Sequence, residues 1–373
     1  MEGLTTAERD LIAAAANAPM LARTITWAGV NSGTRNLDGL AAMAGLLADA
    51  FATLPGDLTL VDPSPVEALD ADGRTLPLAH GRHLRLLVRP HAPVQLLLTG
   101  HMDTVYPADH AFQTVAERPD GTLHGPGTAD MKGGLAVMLA ALEAVEAANL
   151  THIGYEVIIN SDEETGSLSS AALLVEAARG KAAALTYEPA LPDGTLAGAR
   201  GGSGNFSLVV RGRAAHAGRN PQDGRNALVA AGALAVRLAE AAGPGLSVNP
   251  ARIDGGGPNN VVPDLAILRV NFRPADPTAV ERAQAVLQQA IAETAAAHDV
   301  AITSHGGFNR PPKPLDPGAE RLFACVEYAG HDLGLTLGRR ATGGVCDGNN
   351  IAAAGVPVVD TMGARGGAIH SPD

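Results

Sequence analysis

Only two cysteines, Cys325 and Cys346, occur in 373 residues, which leaves no disulfide framework and fits a reducing compartment. Aromatic residues make up 3% of the chain, so stacking platforms for single-stranded nucleic acid are missing. Positive charge is short as well: 27 Lys and Arg against 39 Asp and Glu give a net charge of −12, the wrong sign for a phosphate-backbone partner. No stretch reaches the roughly 18 uninterrupted apolar residues of a membrane span. Residues 1–30 place Glu8, Arg9 and Asp10 ahead of Ala-rich sequence, without the basic start and compact apolar run of a signal peptide. The expectation is a cytoplasmic protein with no nucleic-acid and no membrane partner.

What is there suits a globular fold. Hydrophobic residues make up 46% and charged ones 18%, and 373 residues exceed the size at which one core keeps growing, so two domains are expected. Residues 36–52 and 132–149 carry helical patterns. In the second, Leu135, Met138, Leu139, Leu142 and Val145 recur along one face, while Gly133 and Gly134 let backbone pack closely at its start. Val94–Thr99, Tyr155–Asn160 and Ala182–Tyr187 are apolar runs of buried-strand length. Their alternation with helices predicts an α/β fold, a mainly parallel sheet flanked by helices.

After about residue 198 the pattern changes. A half-buried strand at 205–212 is followed by a helix at 226–242, strands near 246–254 and 264–273, a helix at 277–298 and a strand at 299–304. That is the β-α-β-β-α-β order of a ferredoxin-like α+β unit. The Gly-rich 198–204 and Asn-Arg-Pro-Pro-Lys-Pro at 309–314 read as hinges around it. The expected division is 1–197 plus 311–373 as one domain, with 198–310 inserted as a second.

Chemistry gathers where the strand-like runs end, the usual site of function in open α/β sheets. Gly-His-Met-Asp-Thr-Val at 100–105 brings His101 and Asp103, and Gly-Thr-Ala-Asp-Met-Lys-Gly-Gly at 127–134 brings Asp130. Ser-Asp-Glu-Glu-Thr-Gly at 161–166 brings Glu163 and Glu164, Tyr-Glu-Pro brings Glu188, and His370 lies three residues from the end. Each has an ordinary alternative: a surface His-x-Asp, an N-cap at Asp130, a solvated acidic turn at 162–164. Adjacent glutamates repel each other, however, and a metal site explains both, one as ligand and one as base for an activated water.

The order and spacing of these clusters resemble the dinuclear zinc amidohydrolases that include glutamate carboxypeptidase, aminoacylase, acetylornithine deacetylase and succinyl-diaminopimelate desuccinylase. The resemblance implies two zinc ions per chain, with cobalt or manganese as substitutes. It implies His101 and Glu188 on one ion, Glu164 and His370 on the other, and Asp130 between them. Asp103 would orient His101, Glu163 would be the general base, and the peptide bond between Asp130 and Met131 would be cis. The inserted unit, with Gly212-Arg213-Ala214-Ala215-His216-Ala217-Gly218, resembles the family's lid and dimerisation segment. His216 would hydrogen-bond the oxyanion, usually in the partner subunit of a homodimer. Asn259 or Asn260, Arg273 and the Gly-rich loop containing Gly344 would hold a small carboxylate-bearing or dipeptide-like substrate.

Three departures stand beside the match. Asn271 replaces the Asp usual two residues before this Arg, and Cys346 fills a Ser or Thr slot, where a catalytic thiol is open on position alone but has no base in the local sequence. Family members also continue past His-Ser-Pro-Asp with a Glu and a helix. The sequence given is therefore expected to be cut short, or to leave His370 on an unanchored tail. The closest look is glutamate-carboxypeptidase-like. An N-acyl-amino-acid deacylase of the acetylornithine-deacetylase kind is the alternative, and a noncatalytic amide-binding homologue the rival from another class.

Overall fold

The computed structural model describes residues 3–372. Its larger sheet has six strands in the order Asp57–Val61, His83–Val88, Ile153–Asn160, Val94–His101, Ala183–Thr186 and Val358–Val359. The last four run parallel, and His83–Val88 and Asp57–Val61 each pair antiparallel with their neighbours. The sheet is mixed and flanked by helices, as its continuous apolar strands require: a strand covered on both faces has no polar side.

Helix Leu37–Phe51 starts on Asn36, whose side chain accepts from the Gly39 N–H, and it buries Leu40, Met43, Ala44, Leu47 and Phe51 at helical spacing. Helix Gly133–Ala147 buries Leu135, Met138, Leu139 and Leu142, the expected face; Val145 is only half-buried. Both helices feed one core with Leu84, Leu86, Val157 and Ile159 of the sheet. Full burial of such side chains stabilises by about 1.5–3 kcal/mol each.

The smaller sheet is antiparallel, in the order Leu246–Gly255, Leu265–Pro274, Ser203–Arg211 and Ala301–Arg310. Helices Ala227–Glu240 and Pro277–His298 complete the β-α-β-β-α-β order. Each starts on a side-chain cap, Asn226 or Asp276. Phe206, Leu208, Leu234, Leu268, Phe272 and Leu287 form a core separate from the first.

Several features differ from the expectations. The final strand of the small unit runs to Arg310 rather than stopping near 304. The expected hinge segments are clamped where they cross: Arg200 and Lys313 exchange backbone hydrogen bonds of 2.9 Å in both directions. Their cations meet on buried Asp360, Arg200 Nε at 2.7 Å and Lys313 Nζ at 3.2 Å. Helices Thr6–Ala16 and Met20–Ala28 and the strands Asp57–Val61 and His83–Val88 add to the expected elements. Among the described residues, no helix is long and apolar enough to cross a membrane.

Candidate metal centre

Three adjacent parallel strands end at one place. His101 closes Val94–His101, Ile153–Asn160 leads into the short turn Glu163–Thr165, and Ala183–Thr186 leads to Glu188. Asp130 arrives from the segment before helix Gly133–Ala147, where Asp130 (φ −114°, ψ 95°) and Met131 (φ −134°, ψ 33°) leave helical geometry. The bond between them is cis. The close packing expected of the two glycines is found: a Cβ on Gly134 would lie 2.0 Å from the Tyr187 carbonyl oxygen. Glycine therefore lets the helix start directly against the segment that carries Glu188.

The side chains converge. His101 Nε2 lies 3.1 Å from Asp130 Oδ1 and 3.9 Å from Glu188 Oε1. His370 Nε2 lies 3.1 Å from Glu164 Oε2 and 3.4 Å from Asp130 Oδ2. Asp130 thus stands between two His–Glu pairs, one at each carboxylate oxygen. His101, Asp130 and Glu164 form one group able to hold an ion, and His101, Glu163 and Glu188 another.

Asp103 is fully buried and does more than face the His101 ring at 3.3 Å. It accepts from the Thr34 hydroxyl at 2.6 Å and from the backbone N–H groups of Glu163 and Glu164 at 3.1 and 3.2 Å. One carboxylate therefore ties the His101 strand to the turn bearing both glutamates. His101 Nδ1 also sits 3.0 Å from the Asp103 carbonyl oxygen, which leaves Nε2 as the ligating atom.

Burial pushes the Glu163 carboxyl up to about 7, against the pull of Arg310, and pushes Glu188 well above the carboxylate range. Contacts with Asp130 and Glu164 lift His370 to about 10. Burial opposes protonation of His101, but Asp103 and Asp130 outweigh it. Glu188, pushed toward its neutral form, and the two imidazoles, pushed toward their charged form by the carboxylates around them, are a donor set that a cation would complete. Nitrogen and oxygen donors of this kind fit a zinc-like ion.

The tail that carries His370 is held: Ser371 accepts from the Tyr106 hydroxyl at 2.9 Å, and the Pro372 carbonyl lies 3.1 Å from His124 Nε2. Among the described residues, the expected unanchored tail is not what is seen. A cavity of about 1070 Å³ opens on the cluster, lined among others by Glu163, Glu188, Arg200, Arg273, Arg310 and Gly344. Arg273 Nε donates to Asn271 Oδ1 at 2.8 Å, so Asn271 supplies the acceptor expected from an Asp. Cys346 lines the same cavity, but burial pushes its thiol well above its ordinary range, away from the thiolate that catalysis needs.

His216, Asn259 and Asn260 are not brought to this cluster within one chain. All three are exposed, and they sit together, with the Ala217 N–H donating to the Asn260 carbonyl at 2.9 Å. His216 Nδ1 accepts from the N–H groups of Gly218 and Arg219, both at 3.1 Å. A neutral His216 ring therefore carries its proton on Nε2.

Sequence reasoning missed Arg310. The Pro-rich 309–314 reads as a hinge, yet Arg310 is 3% exposed and bonds Glu163, a partner 147 positions away. The available signal was an Arg directly before two prolines at the end of a strand-like run.

The model of peptidase family M20/M25/M40 matches residues 97–373. Carboxypeptidase G2 from Pseudomonas sp. (strain RS-16) is 28% identical over 348 residues, covering 92% of this chain and 80% of its own. Aminopeptidase PepT from Bacillus cereus ATCC 10987 superposes with a TM-score of 0.69 at 23% identity, over 95% of this chain and 92% of its own. The M20 family metallo-carboxypeptidase Sso-CP2 from Sulfolobus solfataricus does so with a TM-score of 0.66 at 17% identity, over 95% and 94%.

Proposed function

We propose a substrate and a set of residue roles for this chain, which belongs to peptidase family M20/M25/M40 and is a metallo-hydrolase of peptide or amide bonds. The substrate is a small amide that carries a carboxylate, as in the release of a C-terminal glutamate. One observation carries this choice. Arg273 shares the cavity with Glu163 and Glu188, and among the described residues it has no carboxylate partner, only the Asn271 amide oxygen. A guanidinium beside a reacting centre and free of an ion pair is a fork for a carboxylate. Arg200, by contrast, is taken up by Asp360.

His101 and Glu188 would hold one ion, Glu164 and His370 the other, with Asp130 shared. Two zinc ions bound there would lower the pKa of water toward about 7 and polarise the amide carbonyl. Glu163 takes the proton of the attacking water and passes it to the leaving amine. Arg273 and the backbone around Gly344 orient the carboxylate end. The exposed His216, with its Nε2–H, serves the oxyanion of a second copy in a homodimer joined through the small unit, and Asn259 and Asn260 accompany it. A donor of this kind is worth about 3–4 kcal/mol.

The test is a screen of acyl-amino acids and dipeptides, with metal analysis of the purified protein. Two metals per chain and turnover abolished by chelation are expected, with release of a carboxylate-bearing amino acid from its acyl partner. Glu163→Gln should abolish turnover and keep the metal. Near-normal turnover by that variant removes Glu163 as the base, and no turnover on any amide removes the reaction.

A further inference from the structure

Arg310 is the last residue of strand Ala301–Arg310 and so belongs to the small antiparallel sheet. Its guanidinium, however, grips a residue of the large sheet. Nη1 donates to Glu163 Oε1 at 2.6 Å, and Nη2 donates to the Glu163 carbonyl and to Ser167 Oγ, both at 2.8 Å. One side chain thus holds both the carboxylate and the backbone of Glu163, which fixes the side-chain torsions as well as the position of the turn. Asp347 Oδ1 stands 3.6 Å away, but that carboxylate already accepts from Ser167 Oγ and from Asn160 Nδ2. Arg310 is therefore not needed to satisfy Asp347, and its direct bonds go to Glu163 and Ser167.

We infer that Arg310 is a positioning residue for Glu163, so that the general base is in place only while the end of the small sheet is seated against the turn Glu163–Thr165. The inference rests on Glu163 being the base. It makes the small unit contribute to catalysis within its own chain, apart from any residue it offers to a second copy. Reacting groups misplaced by about 1 Å cost on the order of 100-fold in rate, and Arg310 is the only described side chain paired with the Glu163 carboxylate.

Arg310 also lines the cavity, so the alternative is a direct bond to a substrate carboxylate. Two substrates separate the two roles: an acyl-amino acid that the enzyme turns over, and the same compound with its carboxylate converted to a carboxamide. Arg310→Gln and Arg310→Lys are measured on both, with zinc per chain and thermal stability determined in parallel. The expected result is a fall in kcat of about 100-fold on both substrates with KM within about threefold, zinc content unchanged, and partial recovery in Arg310→Lys. Added to Glu163→Gln, the Arg310→Gln change should cause no further loss in residual rate.

A rise in KM confined to the carboxylate substrate, with kcat kept, overturns the proposal in favour of anchoring. Loss of zinc in parallel with turnover overturns it too, because the effect then runs through the ligands. Should Arg310→Gln fail to fold, Arg310→Lys carries the test alone, and wild-type kcat in that variant on both substrates with the Glu163 contact broken refutes the inference. Failure of the base assignment is seen separately, as turnover surviving Glu163→Gln.

Discussion

Asp103→Asn tests whether a single buried carboxylate organises the metal centre. Asp103 Oδ1 faces the His101 ring and the Glu163 N–H, while Oδ2 faces the Thr34 hydroxyl and the Glu164 N–H. An amide NH2 in place of either oxygen points a donor at a donor. The smaller cost arises on the Oδ2 side, because the Thr34 hydroxyl can rotate and become an acceptor, so that only the Glu164 N–H loses its partner. Hydrogen bonds to a charged group contribute about 1.5–3 kcal/mol each. One is lost and the others fall to neutral strength, so metal-free Asp103→Asn should be about 2–4 kcal/mol less stable than metal-free wild type. Substituting the partner of a ligating histidine typically costs 10–100-fold in metal affinity. Here the backbone of Glu164 loosens as well, so the upper part of that range is expected. Denaturant melts of the metal-free proteins and zinc titration against a competing chelator read the two effects. If the variant melts like wild type and binds zinc within twofold, Asp103 is not the organiser.

Two further outcomes concern the frame around the site. Asp360→Asn leaves Arg200 and Lys313 as buried cations without a counter-charge, and breaking such a group costs about 3–5 kcal/mol, measurable by denaturant melts. Burial raises the Asp360 carboxyl, but Arg200 and Lys313 outweigh it and its pKa is depressed. Its contribution is therefore complete above the unfolded carboxyl pKa of about 3.9 and is lost as pH falls through the lower folded value. Wild type should lose this stability below about pH 4, and Asp360→Asn should lack that limb. Gly134→Ala puts a methyl group 2.0 Å from the Tyr187 carbonyl oxygen, so the helix start and the Glu188 segment must separate; a loss of about 1–3 kcal/mol and weaker zinc binding are expected by the same two assays, and wild-type values in both refute the close approach.

The parts of this molecule that were legible in its sequence are those whose signal is local. Helix Gly133–Ala147 shows its buried face as periodicity, and its close start shows as two glycines. His101, Glu163, Glu164 and Glu188 were legible because each follows a run of apolar residues, and parallel strands bring such ends together; Asp130 was legible from the glycines around it. What was not legible depends on pairs far apart in the chain. Arg310 looked like part of a Pro-rich connector because nothing near it in sequence reveals Glu163. Arg200 and Lys313 looked like hinge residues because their shared partner, Asp360, lies far along the chain, 160 positions beyond Arg200. The outer strands Asp57–Val61 and His83–Val88 were missed for a different reason. The Asp57–Val61 strand is half exposed and carries no continuous apolar run, and Arg85 interrupts the other.

The buried carboxylates of the large unit sort themselves by what they touch. Asp162 is met by the Ser169 N–H and hydroxyl and by the Ser170 hydroxyl. Asp347 has Asn160 and Ser167, Asp360 has Arg200 and Lys313, and Asp103 has its four donors. Glu163 has Arg310. Each of these has at least one donor that is not a histidine: a hydroxyl, an amide, a backbone N–H or a permanent cation. Asp130, Glu164 and Glu188 differ, since their ionic partners among the described residues are His101 and His370 alone. A histidine is a counter-charge only when protonated, and a protonated histidine is no ligand. Burial of a carboxylate without a permanent partner costs several kcal/mol, so three such groups around two imidazoles make sense only if a cation completes them. The division also separates Glu163 from its neighbour. The proposed roles follow the same division: among the described residues the Glu164 carboxylate pairs only with His370, which suits it to a metal, whereas Glu163 is held by Arg310, which suits it to moving a proton.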